Sequence, residues 1–212
     1  MERGAPARDG IGEPRLRIFG FKQTEKGMSM RPTEELKAEH EGIRKILDVL
    51  ESISSKIVSG DGVPVAHIEQ IIEFLRVFVD KCHHGKEEGI LFPAMEAAGV
   101  PREGGPIAVM LSEHDRGRRL TAEMNQFVQA FGSGETNSLL VFTTPALQYS
   151  DLLKSHIWKE NNVLFPLADE RLPDHEHQRI SGEFERLERE KIGPGKHEAF
   201  HKMIDTLTEI YL

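Results

Sequence analysis

From Pro32 onward, large apolar residues recur three and four positions apart, and alternation with period two is nowhere sustained. That spacing is the signature of amphipathic helices, so the fold class it predicts is all-α with essentially no sheet. Helices are expected at about 33–59, 65–97, 104–131 and 137–169, with two more near 173–190 and 195–211. The breaks fall at Ser59-Gly60-Asp61-Gly62, Gly99-Val100-Pro101, Gly132-Ser133-Gly134 and Gly193-Pro194-Gly195, where glycine permits positive φ and proline ends helical hydrogen bonding. Connections this short make neighbouring helices antiparallel. Pro145 leaves two readings of the fourth helix: it kinks there, or it begins there with Thr144 as its cap. Residues 1–32 hold five glycines and three prolines and few large apolar side chains, which predicts an extended arm in which residues 16–21 dock as a short strand. The chain therefore divides into an arm (1–32), a bundle (33–169) and a C-terminal helical extension (170–212).

The bundle segment repeats. Residues 83–93 read HHGKEEGILFP and residues 156–166 read HIWKENNVLFP, identical at six of eleven positions with an offset of 73. Glu39-His40-Glu41 with Arg44 is answered by Glu113-His114-Asp115 with Arg118, at an offset of 74. Near-equal offsets mean two copies of one helical hairpin. Packed about a pseudo-twofold axis they form an up-down-up-down four-helix bundle, with repeated residues facing one another across the core.

Polar residues interrupt the apolar stripes at matching places. His40 occupies the step between Leu36 and Ile43; His83 and Glu87 follow Ile72, Leu75 and Val79; His114 follows Ile107 and Met110; His156 and Glu160 follow Tyr149, Leu152 and Leu153. Four helices thus aim four histidines and two glutamates inward. One histidine on an apolar stripe is ordinarily a hydrogen-bonded core residue, but that reading gives no reason for symmetric repetition of buried acids. A pair of cations does. His-x-x-x-Glu sets both side chains on one helical face a turn apart, so each motif offers a nitrogen to one metal and a carboxylate to both. Nitrogen and oxygen donors without sulfur suit iron or manganese, and a tetrahedral zinc ion does not need six groups.

Composition narrows the partners. The 212 residues carry 27 Lys+Arg against 35 Asp+Glu, a formal charge of −8, with no long basic patch, which argues against nucleic acid or anionic lipid as a partner. The lone Cys82 excludes disulfide frameworks within the chain and thiolate metal cages. No apolar run approaches the roughly 18–20 residues of a membrane span, and the first residues lack a secretory apolar core, which points to a cytoplasmic protein.

His40, His83-x-x-x-Glu87 before Leu91-Phe92-Pro93, His114, and His156-x-x-x-Glu160 before Leu164-Phe165-Pro166 together resemble the signature of hemerythrin-like proteins, the HHE cation-binding family. The resemblance covers about residues 33–169. It implies a non-haem di-iron centre with an oxo or hydroxo bridge, His40, His83, His114 and His156 as terminal ligands and Glu87 and Glu160 as bridges, with manganese or zinc as substitutes. Oxygen-carrying hemerythrins have a fifth histidine four residues after the third-helix ligand, where this chain has Arg118, and end the last motif with an aspartate five residues on, where this chain has Glu160 at four. The symmetric pattern leaves room on both metals and is closer to members linked to iron–sulfur cluster repair, nitric oxide or peroxide chemistry, and iron sensing. A small diatomic ligand or peroxide is the implied partner, either bound and sensed or consumed with electrons from an external donor.

Several neighbours carry weaker signals. His84 lies about 100° around the helix from His83, which turns it toward a neighbouring helix or solvent, and a fifth ligand there needs a local rearrangement. Glu88 is matched by Asn161 in the repeat, which argues against a ligand there, whereas Glu39 and Glu113 suit hydrogen bonds to ligand histidines or a solvated face. Tyr149, close to Trp158 along the fourth helix, reads as core packing, with gating access or donating a hydrogen bond as its other role, and Cys82 reads as a buried small apolar residue. His197-Glu198-Ala199-Phe200-His201 is a literal H-E-x-x-H, but no sheet and little downstream chain accompany it, so it reads as part of a docking helix with Phe200, Met203, Ile204 and Leu207. His175 and His177 read as a solvated helix start. Residues 170–212 have three roles open to them: covering one bundle end, gating the centre, or forming a homodimer contact.

Overall fold

The computed structural model describes residues 30–193 and 195–212, and all regular structure within them is helical. The expected arm and the short strand at 16–21 lie outside the described residues. Helix α1 is Pro32–Ser59, entered through Pro32, whose fixed φ suits a first turn, with Glu34 and Glu35 beside the positive end of the helix dipole. Gly60, at φ 82°, ends it: its N–H reaches Ile57 and that of Asp61 reaches Lys56. Helix α2 (residues 65–97) winds as an α-helix over Val65–Phe74, widens to π-helical turns over Leu75–His84 and Glu87–Leu91, and finishes as Phe92–Ala97. Helix α3 is Pro106–Gly132. Helix α4 (residues 138–171) comprises Ser138–Lys159, a π-helical turn Glu160–Leu164 and Phe165–Arg171. Helices α5, Asp174–Lys191, and α6, Lys196–Tyr211, complete the described chain.

The first four helices form the antiparallel bundle that the repeat predicts, α1 beside α4, α4 beside α3, and α3 beside α2. Helix α4 starts at Ser138 after Asn137 and continues through Pro145, so Thr144 is not its cap. Pro145 cannot donate to the Val141 carbonyl one turn earlier, but Val141 is well exposed and water can take that acceptor.

The two wide turns, one at the end of each His-x-x-x-Glu motif, share a cause. Pro93 and Pro166 have no N–H and crowd the carbonyl four residues back; just before them, the N–H of Phe92 reaches past one turn to the Glu87 carbonyl and that of Phe165 to Glu160. No proline accounts for the longer π-helical stretch Leu75–His84.

Two apolar clusters fill the interior. One, including Ile43, Leu47, Leu50, Phe74, Phe78, Met124, Phe142 and Leu153, is completed by Phe200, Ile204 and Leu207 of α6. The other gathers Leu36, Leu91, Phe92, Met110, Leu164 and Phe165, with Ile180 and Phe184 of α5. The docking role expected for α6 is what Phe200, Ile204 and Leu207 perform. Between the clusters lies a layer of buried His and Glu side chains, and α5 packs across the π-helical part of α2 beside that layer.

Candidate metal centre

All six residues singled out by the repeat converge in this layer, each buried. His40 Nε2 and His83 Nε2 are 3.1 Å apart, and His114 Nε2 and His156 Nε2 are also 3.1 Å apart. The ring centroids in both pairs are 4.8 Å apart at steep interplanar angles of 62° and 65°. Two nitrogens on one metal, each at about 2.1 Å and near right angles, lie about 3.0 Å apart, so each pair has the spacing of two ligands to a shared ion.

The carboxylates join the pairs. Glu87 directs Oε1 at His83 Nε2 (3.6 Å) and Oε2 at His114 Nε2 (3.4 Å). Glu160 directs Oε1 at His156 Nε2 (2.9 Å) and Oε2 at His40 Nε2 (3.1 Å). Each glutamate therefore spans both pairs. None of these four oxygens has a hydrogen-bond partner in acceptable geometry, although all are buried.

The far side of every imidazole is anchored, again in symmetric fashion. His83 Nδ1–H donates to Glu39 (2.7 Å) and His156 Nδ1–H to Glu113 (3.0 Å); His114 Nδ1–H donates to Glu88 (2.7 Å) and His40 Nδ1–H to the Asn161 side-chain oxygen (2.9 Å). With Nδ1 protonated, a neutral ring presents a lone pair at Nε2. Paired lone pairs and bare carboxylate oxygens facing one another in a buried layer repel unless positive charge sits among them. Extra protons supply some of it: burial pushes His156 down, but the Glu160 carboxylate beside it outweighs burial and lifts it to about 10. Burial likewise pushes Glu160 up, and the His156 charge overcomes this, holding it well below the ordinary carboxylate range. Metal ions would displace these protons, and the four imidazole nitrogens and four carboxylate oxygens form a donor set that could hold them.

The partners one step out explain residues that sequence reasoning left undecided or passed over. Glu39 and Glu113 each accept a hydrogen bond from an imidazole of the layer. Behind each stands a lysine, Lys86 on Glu39 and Lys159 on Glu113, so the lysine common to both repeat copies serves a His–Glu–Lys chain in each. Lys86 is wholly buried and also meets Glu35 (2.7 Å) and Glu188 of α5 (3.2 Å), over the Phe184 ring. These three glutamates could be mistaken for a cation site, but the Lys86 ammonium occupies their centre. Glu88 and Asn161, dismissed as ligands because the repeat does not conserve their type, are equivalent anchors. Arg118 binds Asp80 (2.7 Å) and Glu88 (2.5 Å), pointing its charge at the acid that anchors His114. Phe92 lies nearly parallel to His114 and Phe165 to His40, so the two Leu-Phe-Pro motifs wall the layer.

Of the two orientations expected for His84, solvent or a neighbouring helix, the structure shows the second: its ring stacks on His114. It is only 3% exposed, and a ligand atom of it lies within 4.8 Å of those of Glu87, His114 and His156. A π-helical segment advances less than 100° per residue, which is how adjacent residues His83 and His84 both face the interior. Beyond it a cavity of about 340 Å³ between α2 and α3 is lined by Asp80, His84, Gly117, Arg118, Thr121 and Tyr149. Tyr149 and Cys82 are buried as expected, and Trp158 is exposed. On α6, His197 packs near Phe78 and His201, and neither belongs to any group of three or more ligand atoms found among the described residues. His177 is buried rather than solvated; His175 is exposed.

No helix among the described residues is long and apolar enough to cross a membrane. Comparison with known proteins agrees with the geometry. An uncharacterized protein of Mycobacterium tuberculosis and one of Mycobacterium bovis are each 22% identical over 207 residues, 98% of this chain and 77% of theirs. The iron-sulfur cluster repair protein YtfE of Escherichia coli is 37% identical over 92 residues, 41% of this chain and 40% of its own length. No solved structure is detectably similar. The family described as Hemerythrin HHE cation binding domain matches residues 31–168, the bundle up to the last three residues of α4 and every residue of the paired His and Glu layer, and the chain belongs to that family.

Proposed function

We propose that this metal-binding hemerythrin-like protein holds two iron ions and takes up a small ligand, O₂, nitric oxide or peroxide, which it binds or senses in the cytoplasm. The observation that carries the reading is the splitting of Glu87 and Glu160, each with one oxygen at one imidazole pair and the other oxygen at the second. His40 and His83 would hold one ion and His114 and His156 the other, with both glutamates shared. Iron supplies redox chemistry and an open coordination position for a small ligand. The protein's own contribution is to exclude bulk water with Phe92, Phe165 and the flanking apolar clusters, and to fix the imidazoles through Glu39, Glu88, Glu113 and Asn161. The cavity ending at His84 gives a small molecule a route from solvent.

Anaerobic titration of metal-free protein with ferrous iron should saturate at two ions per chain. After oxidation, near-ultraviolet bands that respond to azide are the expected spectrum. Saturation at one ion or none overturns the reading. A second reading, an iron donor for iron–sulfur cluster repair or an oxidoreductase consuming peroxide or nitric oxide, draws support from the likeness to YtfE over 92 residues. Iron released to an apo-cluster acceptor, or turnover of either substrate with a reductant, separates it from simple binding.

A further inference from the structure

We propose that His84 is a fifth imidazole ligand, bound to the metal held by His114 and His156, so that the two metals of the centre have unequal donor sets. This rests on the dinuclear reading above. Three observations carry it. First, His84 is buried, and neither Nδ1 nor Nε2 has a hydrogen-bond partner, whereas all four other histidines of the layer have Nδ1 anchored. Buried polar atoms in native proteins are satisfied, and an imidazole with two orphaned nitrogens beside a cation site has an evident partner in the ion.

Second, its ligand atom belongs to one compact group with Glu87, His114 and His156. Its ring stacks on that of His114, with centroids 3.8 Å apart, and lies 5.8 Å from that of His156; an ion lies in the plane of each imidazole that binds it, so His84 reaches the ion of His114 and His156 by tilting out of this stack. Asp80 Oδ1 is 3.8 Å from Nδ1 on the preceding turn, close enough to become its anchor and leave Nε2 for the metal, the arrangement the other four rings share.

Third, the repeat breaks at this position. The counterpart of His84 in the second copy is Ile157, buried and without a donor atom. The pair His40 and His83 therefore gains no third nitrogen. The asymmetry follows from one residue in one copy, presented inward by the π-helical winding of Leu75–His84.

Cobalt(II) provides the test, because imidazole N–H protons on a bound cobalt are strongly hyperfine-shifted. Full-length wild-type protein, stripped of metal and titrated with cobalt(II), should bind two ions per chain and show five such exchangeable signals. His84→Phe keeps a flat ring against His114 and removes both nitrogens; it should show four signals and bind one of its two ions at least tenfold more weakly. Four signals in the wild type overturns the proposal without recourse to any variant, as does a His84→Phe protein that binds both ions with wild-type affinity. Wild-type protein that binds fewer than two ions defeats the dinuclear reading itself.

Discussion

Replacing Lys86 by methionine probes a wholly buried charge. Its ammonium is inaccessible to solvent and lies 2.7, 2.6 and 3.2 Å from carboxylate oxygens of Glu35, Glu39 and Glu188. Methionine preserves most of the apolar stem and the contact with Phe184, so the main loss is electrostatic: three buried carboxylates deprived of their cation. Removing one partner of a buried ion pair costs about 3–5 kcal/mol. For a chain of this size each kcal/mol lowers the melting temperature by roughly 2–4 °C, so a fall of about 10 °C is expected at pH 7.5. Thermal unfolding should be followed on chelator-treated protein, because metal bound to the folded state raises stability by itself.

The pH dependence separates charge from packing. Burial pushes Glu35 up from the ordinary 4.5 to about 7, against the pull of Lys86. A carboxyl whose folded pKa is raised binds its proton more tightly when folded, so its contribution is favourable at low pH and is lost as pH rises from 4.5 to about 7, by roughly 3 kcal/mol in the wild type. Without Lys86, which lowers both, Glu35 and Glu39 hold their protons to higher pH. The penalty of Lys86→Met relative to wild type should therefore shrink below pH 5 to less than half its value at pH 7.5. Lys159→Met is the internal control: the equivalent pair, Lys159 29% and Glu113 18% exposed, is open to water, and its loss should cost no more than about 1 kcal/mol. Melting of Lys86→Met within about 2 °C of wild type at pH 7.5, or an equal penalty at pH 5, refutes the reasoning.

Three further outcomes follow from residues around the centre. Glu39→Gln and Glu113→Gln should each leave two metal sites while weakening metal affinity by roughly 10–100-fold in equilibrium dialysis, because both acids fix a ligand imidazole. Burial pushes the Cys82 thiol far above its ordinary range, so it should resist a thiol reagent at pH 8 in the folded protein and react fully in guanidinium; rapid labelling of native protein contradicts the packing. Trp158, the only tryptophan, is 58% exposed, so its emission should be solvent-like and readily quenched by acrylamide, and a blue-shifted, protected emission speaks against the orientation of α4.

How much of this was readable beforehand depends on the range over which each feature is determined. The helices were, because an apolar residue every third or fourth position is a local property, and their ends fell at glycines and prolines whose effect is also local. The six convergent residues were legible for a different reason: repetition at an offset of 73 or 74 converts separate stripes into symmetric partners. Lys86 was not. A lysine two residues past two histidines looks like any solvated residue, and what buries it is Glu188, 102 positions later on a helix outside the repeat. His84 was legible only in part, and the limit was a local assumption: the 100° step between neighbours holds for α-helical winding and not for the π-helical turns that run through Leu75–His84.

These two residues also indicate what the C-terminal helices do to a symmetric centre. The His83–Glu39–Lys86 chain is sealed beneath α5, by Glu188 and Phe184, while its counterpart His156–Glu113–Lys159 remains open to water. In a buried setting a carboxylate paired with a lysine stays charged: burial pushes Glu39 up, but Lys86 and the bond from His83 hold it at about 2. On the open side, water screens the same arrangement. Two copies of one hairpin thus present their imidazoles with different electrostatic backing, and a cavity lies against His84. If α5 is what creates the difference, Glu188→Gln should alter the affinity of one metal and spare the other. Equal changes at both sites, read by cobalt(II) titration, would place the asymmetry in the bundle alone.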